Sequence, residues 1–171
     1  PVVFLGPVVL LFIPGKIFVP GDASATVANL LAHESLFRAN IVLGMISQLF
    51  FVASALALYQ LLRDVGRRLA ALMVILILLV APLAIGGAAT EVATLKLLND
   101  PRFLSAFTGA ERDALVTLLL EFDRHGTLAV ELYWGLWLLP LGLLVWRSGF
   151  LPRFLGVWLL ANGAAYVVLS L

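Results

Sequence analysis

The side chains suited to acid–base or metal chemistry are few in this sequence: two histidines, ten acidic residues and no cysteine among 171 residues. His33, Glu34, His125 and Glu131 are the candidate catalytic residues. Imidazole and carboxylate together supply the nitrogen and oxygen ligands of a zinc-like ion with an open position for water, and the same groups serve as general acid and base. The spacing argues against a metal. No HExxH is present and both histidines are isolated, so His33 and His125 are weak metal candidates and no metal is assigned. Glu34 to Arg38 and Glu121 to His125 have i, i+4 spacing with the acid first, which equally describes pairs on a helix surface. Arg38 is the candidate anion or lipid anchor; its alternative is pairing with Glu34 or Glu91. Glu131 is the best single candidate for a proton-linked role, the alternative being a hydrogen bond to a neighbouring helix.

The elements that must position these groups are apolar. The chain is 63% hydrophobic and 12% charged, with a mean hydropathy of +1.09, which is outside the range of a soluble domain. The fold expected is all-α: one integral membrane domain, a helical bundle of about five spans with two amphipathic helices on the outer surface. A net charge of +1 with scattered basic residues excludes nucleic acid as a partner. No signal peptide is expected, since no basic n-region or small-residue cleavage site is seen.

The spans expected cover about 2–19, 37–62, 69–91, 126–146 and 154–171. Each is an uncharged or nearly uncharged run matching a hydrocarbon core roughly 30 Å thick at about 1.5 Å per residue. Asp22 or Ser24 caps an interfacial helix that follows the first span. Asn99-Asp100-Pro101 stops the third region. In 111–124, Ala114, Leu115, Leu118, Leu119 and Phe122 form one face, with Asp113, Thr117, Glu121 and Arg124 on the other. A helix unbroken from there to Trp146 would be about 55 Å long, so a bend near Gly126 is expected. Gly149 suits a left-handed helix end and Pro152 the start of the next helix.

Orientation follows from arginine. The loops 63–68 and 147–153 hold five arginines and one aspartate, against six basic and nine acidic residues elsewhere, which makes both loops cytoplasmic. His33, Glu34, Arg38, Glu91, Glu121, His125 and Glu131 then fall near the outer interface. Asn40, Ser47, Gln48, Ser54 and Asn162 read as interhelical hydrogen-bonding groups, and Gly44, Gly86, Gly87, Gly142 and Gly163 as close-contact sites. The tryptophans read as belt residues.

The stretches GDASATVANLLAHESLFRANI, ALALYQLLRDV and WGLWLLPLGLLVWRSGFLPRFLGVWLLANGAAY, of which RSGFLPRFLG is the most distinctive, resemble bacterial multi-spanning membrane proteins of the domain of unknown function 4386 family. The resemblance covers nearly the whole chain. It implies a small prokaryotic plasma-membrane protein and supplies no reaction and no catalytic residues.

With no Gly-rich phosphate loop or nucleophile elbow in the sequence, the functional expectation is a non-catalytic accessory or assembly subunit of a larger membrane complex. Its partners are membrane lipids and other membrane protein subunits, and no cofactor is implied. The alternative is an intramembrane enzyme, a lipid-directed hydrolase with or without a metal, whose polar site lies at the outer leaflet.

Overall fold

The computed structural model describes residues 12–19 and 21–170, and among these the regular elements are all helices. They are α1 (Ile13–Ile17), α2 (Ala23–Ala32), α3 (Glu34–Asn99), α4 (Pro101–Ala106), α5 (Gly109–Ser148) and α6 (Arg153–Leu169). Two of them, α3 and α5, are long and apolar enough to cross a membrane. Most of the first expected span, 2–19, lies outside the described residues. The chain divides into two compact units: residues 1–48 with 84–125, and residues 49–83 with 126–171.

In the first unit the chain turns at Gly21, whose φ of +78° is the left-handed conformation that glycine adopts without a Cβ penalty. Asp22 caps α2 by accepting from the Ala25 N–H at 2.8 Å. Thr26 closes the same corner: its buried hydroxyl accepts from the Val19 N–H at 3.0 Å and donates to the Asp22 carbonyl at 2.8 Å. Replacing Asp22 with alanine leaves an early N–H of α2 without its acceptor. It is expected to cost about 1 kcal/mol, read as a lower midpoint in thermal unfolding followed by circular dichroism. The interfacial helix expected after the first span is in fact two helices meeting at His33, which ends α2 and precedes α3. Ile17, Val27, Leu30, Phe37, Leu95, Leu98 and Val116 form the core of this unit.

Helix α3 runs on past Glu91 to Asn99, longer than the expected third span, and Asp100 stops it. Asp100 also caps α4, with Pro101 in its first turn. Arg102 holds both oxygens of the Asp100 carboxylate, Nη2 to Oδ2 at 2.7 Å and Nε to Oδ1 at 3.1 Å, and its backbone N–H adds a third bond at 3.0 Å. Chiefly through the side-chain bond, the carboxyl titrates at about 2 rather than 3.8. A depressed folded-state value means that whatever the pair contributes is present above the ordinary carboxylate value and is lost as the pH falls toward 2. Arg102→Ala is expected to return the Asp100 titration toward its ordinary value, as followed by the carboxyl carbon chemical shift.

Thr108 and Glu111 open α5 as a capping box: Glu111 Oε2 accepts from the Thr108 N–H at 2.9 Å, and Thr108 Oγ1 accepts from the Glu111 N–H at 3.4 Å. The helix then continues through Gly126 to Ser148, so the expected bend there is not a break in the helix. Its amphipathic part faces the other way from a soluble helix. Val116 and Leu120 pack in the core, whereas Leu118 is 60% and Phe122 70% exposed. Along Ala114, Leu118 and Phe122 the expected apolar stripe therefore points out of the unit.

In the second unit, the expected loop 63–68 shrinks to one non-helical residue, Gly66, at which α3 doubles back. A Cβ at Gly66 would sit 3.3 Å from Leu144 Cδ2. Leu62, Ala70 and Met73 from this corner share a core with Leu141, Leu144 and Val145, and Val65, Leu69 and Leu151 pack against it. The corner of α3 and the α5–α6 turn therefore lie at the same end of this unit. That turn is built as the sequence suggests. Gly149 has φ +73°, and the Ser148 hydroxyl donates to the Val145 carbonyl at 2.8 Å while accepting from the Leu151 N–H at 3.2 Å. Pro152 is the cap of α6 rather than its first residue.

Helices α5 and α6 pack at backbone distance through two glycine pairs, Gly142 with Gly156 and Gly135 with Gly163. A Cβ on Gly156 would lie 2.8 Å from the Gly142 carbonyl oxygen and 2.8 Å from the Trp146 nitrogen, and one on Gly135 would lie 2.8 Å from the Gly163 carbonyl oxygen. Gly142 and Gly163 match the expected close-contact sites. Gly86, expected to be another, has nothing within 4 Å of its Cβ position.

Candidate functional site

The first unit gathers polar groups from three helical segments. Asn40, on the outgoing arm of α3, donates through Nδ2 to Glu91 Oε1 on the returning arm at 3.0 Å, a bond between residues 51 apart in sequence. Gly87, one turn before Glu91, provides room for a third group: a Cβ there would lie 2.7 Å from Asp123 Oδ1 of α5. The Asp123 carboxylate thus rests against bare backbone beside Glu91, and its charge acts on Glu91.

Asn40 is only 7% exposed, and its Oδ1 has no hydrogen-bond partner among the described residues. The same holds for Ser47 Oγ and Gln48 Nε2, which follow Asn40 by seven and eight residues on one face of the helix. Thr94 is also buried and back-bonds to the Thr90 carbonyl at 3.0 Å. The site offers oxygen acceptors, two carboxylates and an amide carbonyl, in a setting where an unmade hydrogen bond is costly. Hard oxygen donors of this kind suit protons or hard cations rather than soft metals. Among the described residues no group of three His, Cys, Asp or Glu side chains is placed to hold a metal ion.

The residues singled out from sequence lie elsewhere. His33 is exposed at the end of α2, with Nδ1 3.0 Å from the Asn29 carbonyl oxygen, and His125 is exposed on α5, with Nδ1 2.8 Å from the Glu121 carbonyl oxygen. A carbonyl only accepts, so Nδ1 is the donor in each of these bonds. Glu34 binds Arg38 Nε at 2.7 Å, the i, i+4 pairing expected, and the Arg38 side chain is 58% exposed. Glu131 is half-buried in the second unit. Glu121 bonds His125 through its backbone carbonyl, so their spacing makes no ion pair.

The chain belongs to the family described as domain of unknown function DUF4386. Its family model matches residues 2–171. No curated protein and no solved structure matches the chain. Membership fixes relatedness over the whole length, and the chemistry of the DUF4386 chain has to be read from its own residues. Asn40 makes the interhelical hydrogen bond expected of it, although its partner is not legible in the sequence, and Asp123 is not singled out there at all. A usable signal was present for Asp123: it follows Val116 by seven residues and Leu120 by three, on the face of α5 that is buried.

Proposed function

We propose that this protein is a multi-pass prokaryotic plasma-membrane protein of about five spans, acting as a non-catalytic, lipid-contacting accessory or assembly subunit of a larger membrane complex. The spans are those expected from sequence, and the corners 63–68 and 147–153 face the cytoplasm. The observation that carries the reading is the outward apolar face of α5, with Leu118 60% and Phe122 70% exposed. Water would penalise such a surface, while acyl chains or an apolar partner helix would cover it. A face of this kind beside a cytoplasm-distal polar cluster suits lateral association within the bilayer. Native mass measurement after gentle solubilisation tests this: assemblies containing further subunits are expected, and a lone, stable monomer would sink the subunit reading.

The second reading is the intramembrane enzyme, a lipid-directed hydrolase. The part-buried Asn40–Glu91 pair favours it, because a held carboxylate is a competent acid–base group. Stoichiometric metal in the purified protein, with stability lost on chelation, would support its metal-dependent form.

A further inference from the structure

One end of the second unit is rich in arginine. Arg63, Arg67 and Arg68 flank Gly66, and Arg147 and Arg153 flank the α5–α6 turn that shares its core. All five are exposed. Asp64 is the single acid of the two corners and lies 3.9 Å from Arg63, while Arg67, Arg68, Arg147 and Arg153 make no ion pair among the described residues. Tyr59, Arg63, Asp64 and Arg67 line a cleft of ≈ 210 Å³. Tyr59 and Arg63 stand one helical turn apart, and Arg67 comes round the Gly66 break to meet them.

We propose that this cleft binds a phosphate group, that of an anionic phospholipid headgroup. Guanidinium groups match phosphate oxygens with paired, charge-assisted hydrogen bonds, and a half-buried tyrosine adds a neutral donor at the polar end of an apolar helix. Surplus positive charge without internal partners is left for an anion from outside the chain. At the ends of apolar helices the phosphate present in bulk is that of the bilayer surface. Orientation by arginine needs charge only at the corner; a lined cleft with a tyrosine goes beyond that need. The proposal rests on the membrane reading above and gives the lipid contact its chemical class.

The test uses the full chain reconstituted and then released for native mass spectrometry. Flotation with phosphatidylcholine vesicles comes first, because failure to float with any vesicle overturns the membrane reading and not this site alone. With flotation established, phosphatidylglycerol adducts are expected to exceed phosphatidylcholine adducts. Arg63→Gln with Arg67→Gln should reduce that preference by about fivefold for each arginine removed, and Tyr59→Phe by less. Arg124→Gln, in the first unit, should leave it unchanged. Inorganic phosphate that competes the adducts away at equal charge supports the phosphate chemistry and assigns it to a free phosphate rather than a headgroup. Equal adducts of the two lipids in the unaltered protein, or a preference untouched in a doubly substituted protein whose melting temperature is normal, overturns the proposal.

Discussion

Gly156→Ala is expected to be the most damaging single methyl group that can be added to this protein. The new Cβ would stand 2.8 Å from the Gly142 carbonyl oxygen, 2.8 Å from the Trp146 nitrogen and 2.9 Å from Trp146 Cβ. Two of those neighbours are backbone and the third is fixed to it, so no rotamer change relieves the clash; the helices must separate. Separation also strips contacts at the other pair, because Gly135 and Gly163 are on the same two faces. Overpacking a close interface in this way costs typically 1–3 kcal/mol, and about 3 kcal/mol is expected here since backbone must move. Gly86→Ala is the matched control. Nothing lies within 4 Å of its Cβ position, and alanine is the better helix former by roughly 0.5–1 kcal/mol, so that variant should be as stable as the parent or more so. Thermal unfolding read by tryptophan fluorescence checks both, since Trp137, Trp146 and Trp158 report on this hairpin. Equal melting temperatures for Gly156→Ala and the parent would mean that the two helices do not pack through their glycines.

The second large effect is expected at Asn40, and its signature is non-additivity. Asn40→Leu removes the donor that Glu91 Oε1 receives at 3.0 Å and leaves the carboxylate between a leucine and the charge of Asp123. Removing one partner of such a part-buried charged hydrogen bond costs about 1.5–3 kcal/mol. Glu91→Gln keeps an oxygen for Asn40 Nδ2 and eases the repulsion from Asp123, so it should be close to neutral. The double change Asn40→Leu with Glu91→Leu replaces both partners by apolar groups and should recover most of what the single Asn40 change loses, as happens when buried polar pairs are replaced together. A double-mutant cycle of Asn40→Leu, Glu91→Leu and the two together, in thermal stability, measures the coupling. If the two single losses simply add, Asn40 and Glu91 do not act on each other.

These two sites also show what a sequence discloses. The local features were legible: Asp22 as a cap, Gly149 at a left-handed turn, Asn99-Asp100-Pro101 as a stop, and Glu34 with Arg38 one turn apart. Each depends on residues within a turn of one another, where backbone geometry alone dictates the outcome. Gly142 and Gly163 were recognisable as small-residue contacts, but not that their partners are Gly156 and Gly135. That pairing needs the hairpin register. The Asn40–Glu91 bond, spanning 51 residues, and the seat of Asp123 on Gly87 depend on which arms come together, which no periodicity encodes.

The stripe at Ala114, Leu115, Leu118, Leu119 and Phe122 has the period that the sequence predicts, and its Ala114, Leu118 and Phe122 edge is exposed. Amphipathicity tells which residues share a face, and only the surrounding medium tells where that face points. Among uncharged polar residues the same difficulty appears. Ser54 and Asn162 bond back to the carbonyls of their own helix, at Phe50 and Trp158, whereas Asn40 reaches across to another arm. All three have the same appearance in a one-letter string, and only the neighbouring helix distinguishes them.

The two glycine pairs sit seven and fourteen residues on either side of Gly149. Both halves of the hairpin are therefore counted from one point. Adding or deleting a residue at that point would slip one helix against the other and swing each glycine about 100° away from its mate, replacing it at the seam with a neighbour that carries a side chain. Surface loops ordinarily absorb changes in length; this one is a spacer of fixed length, and a shortened or lengthened version should leave the last helix without a seat.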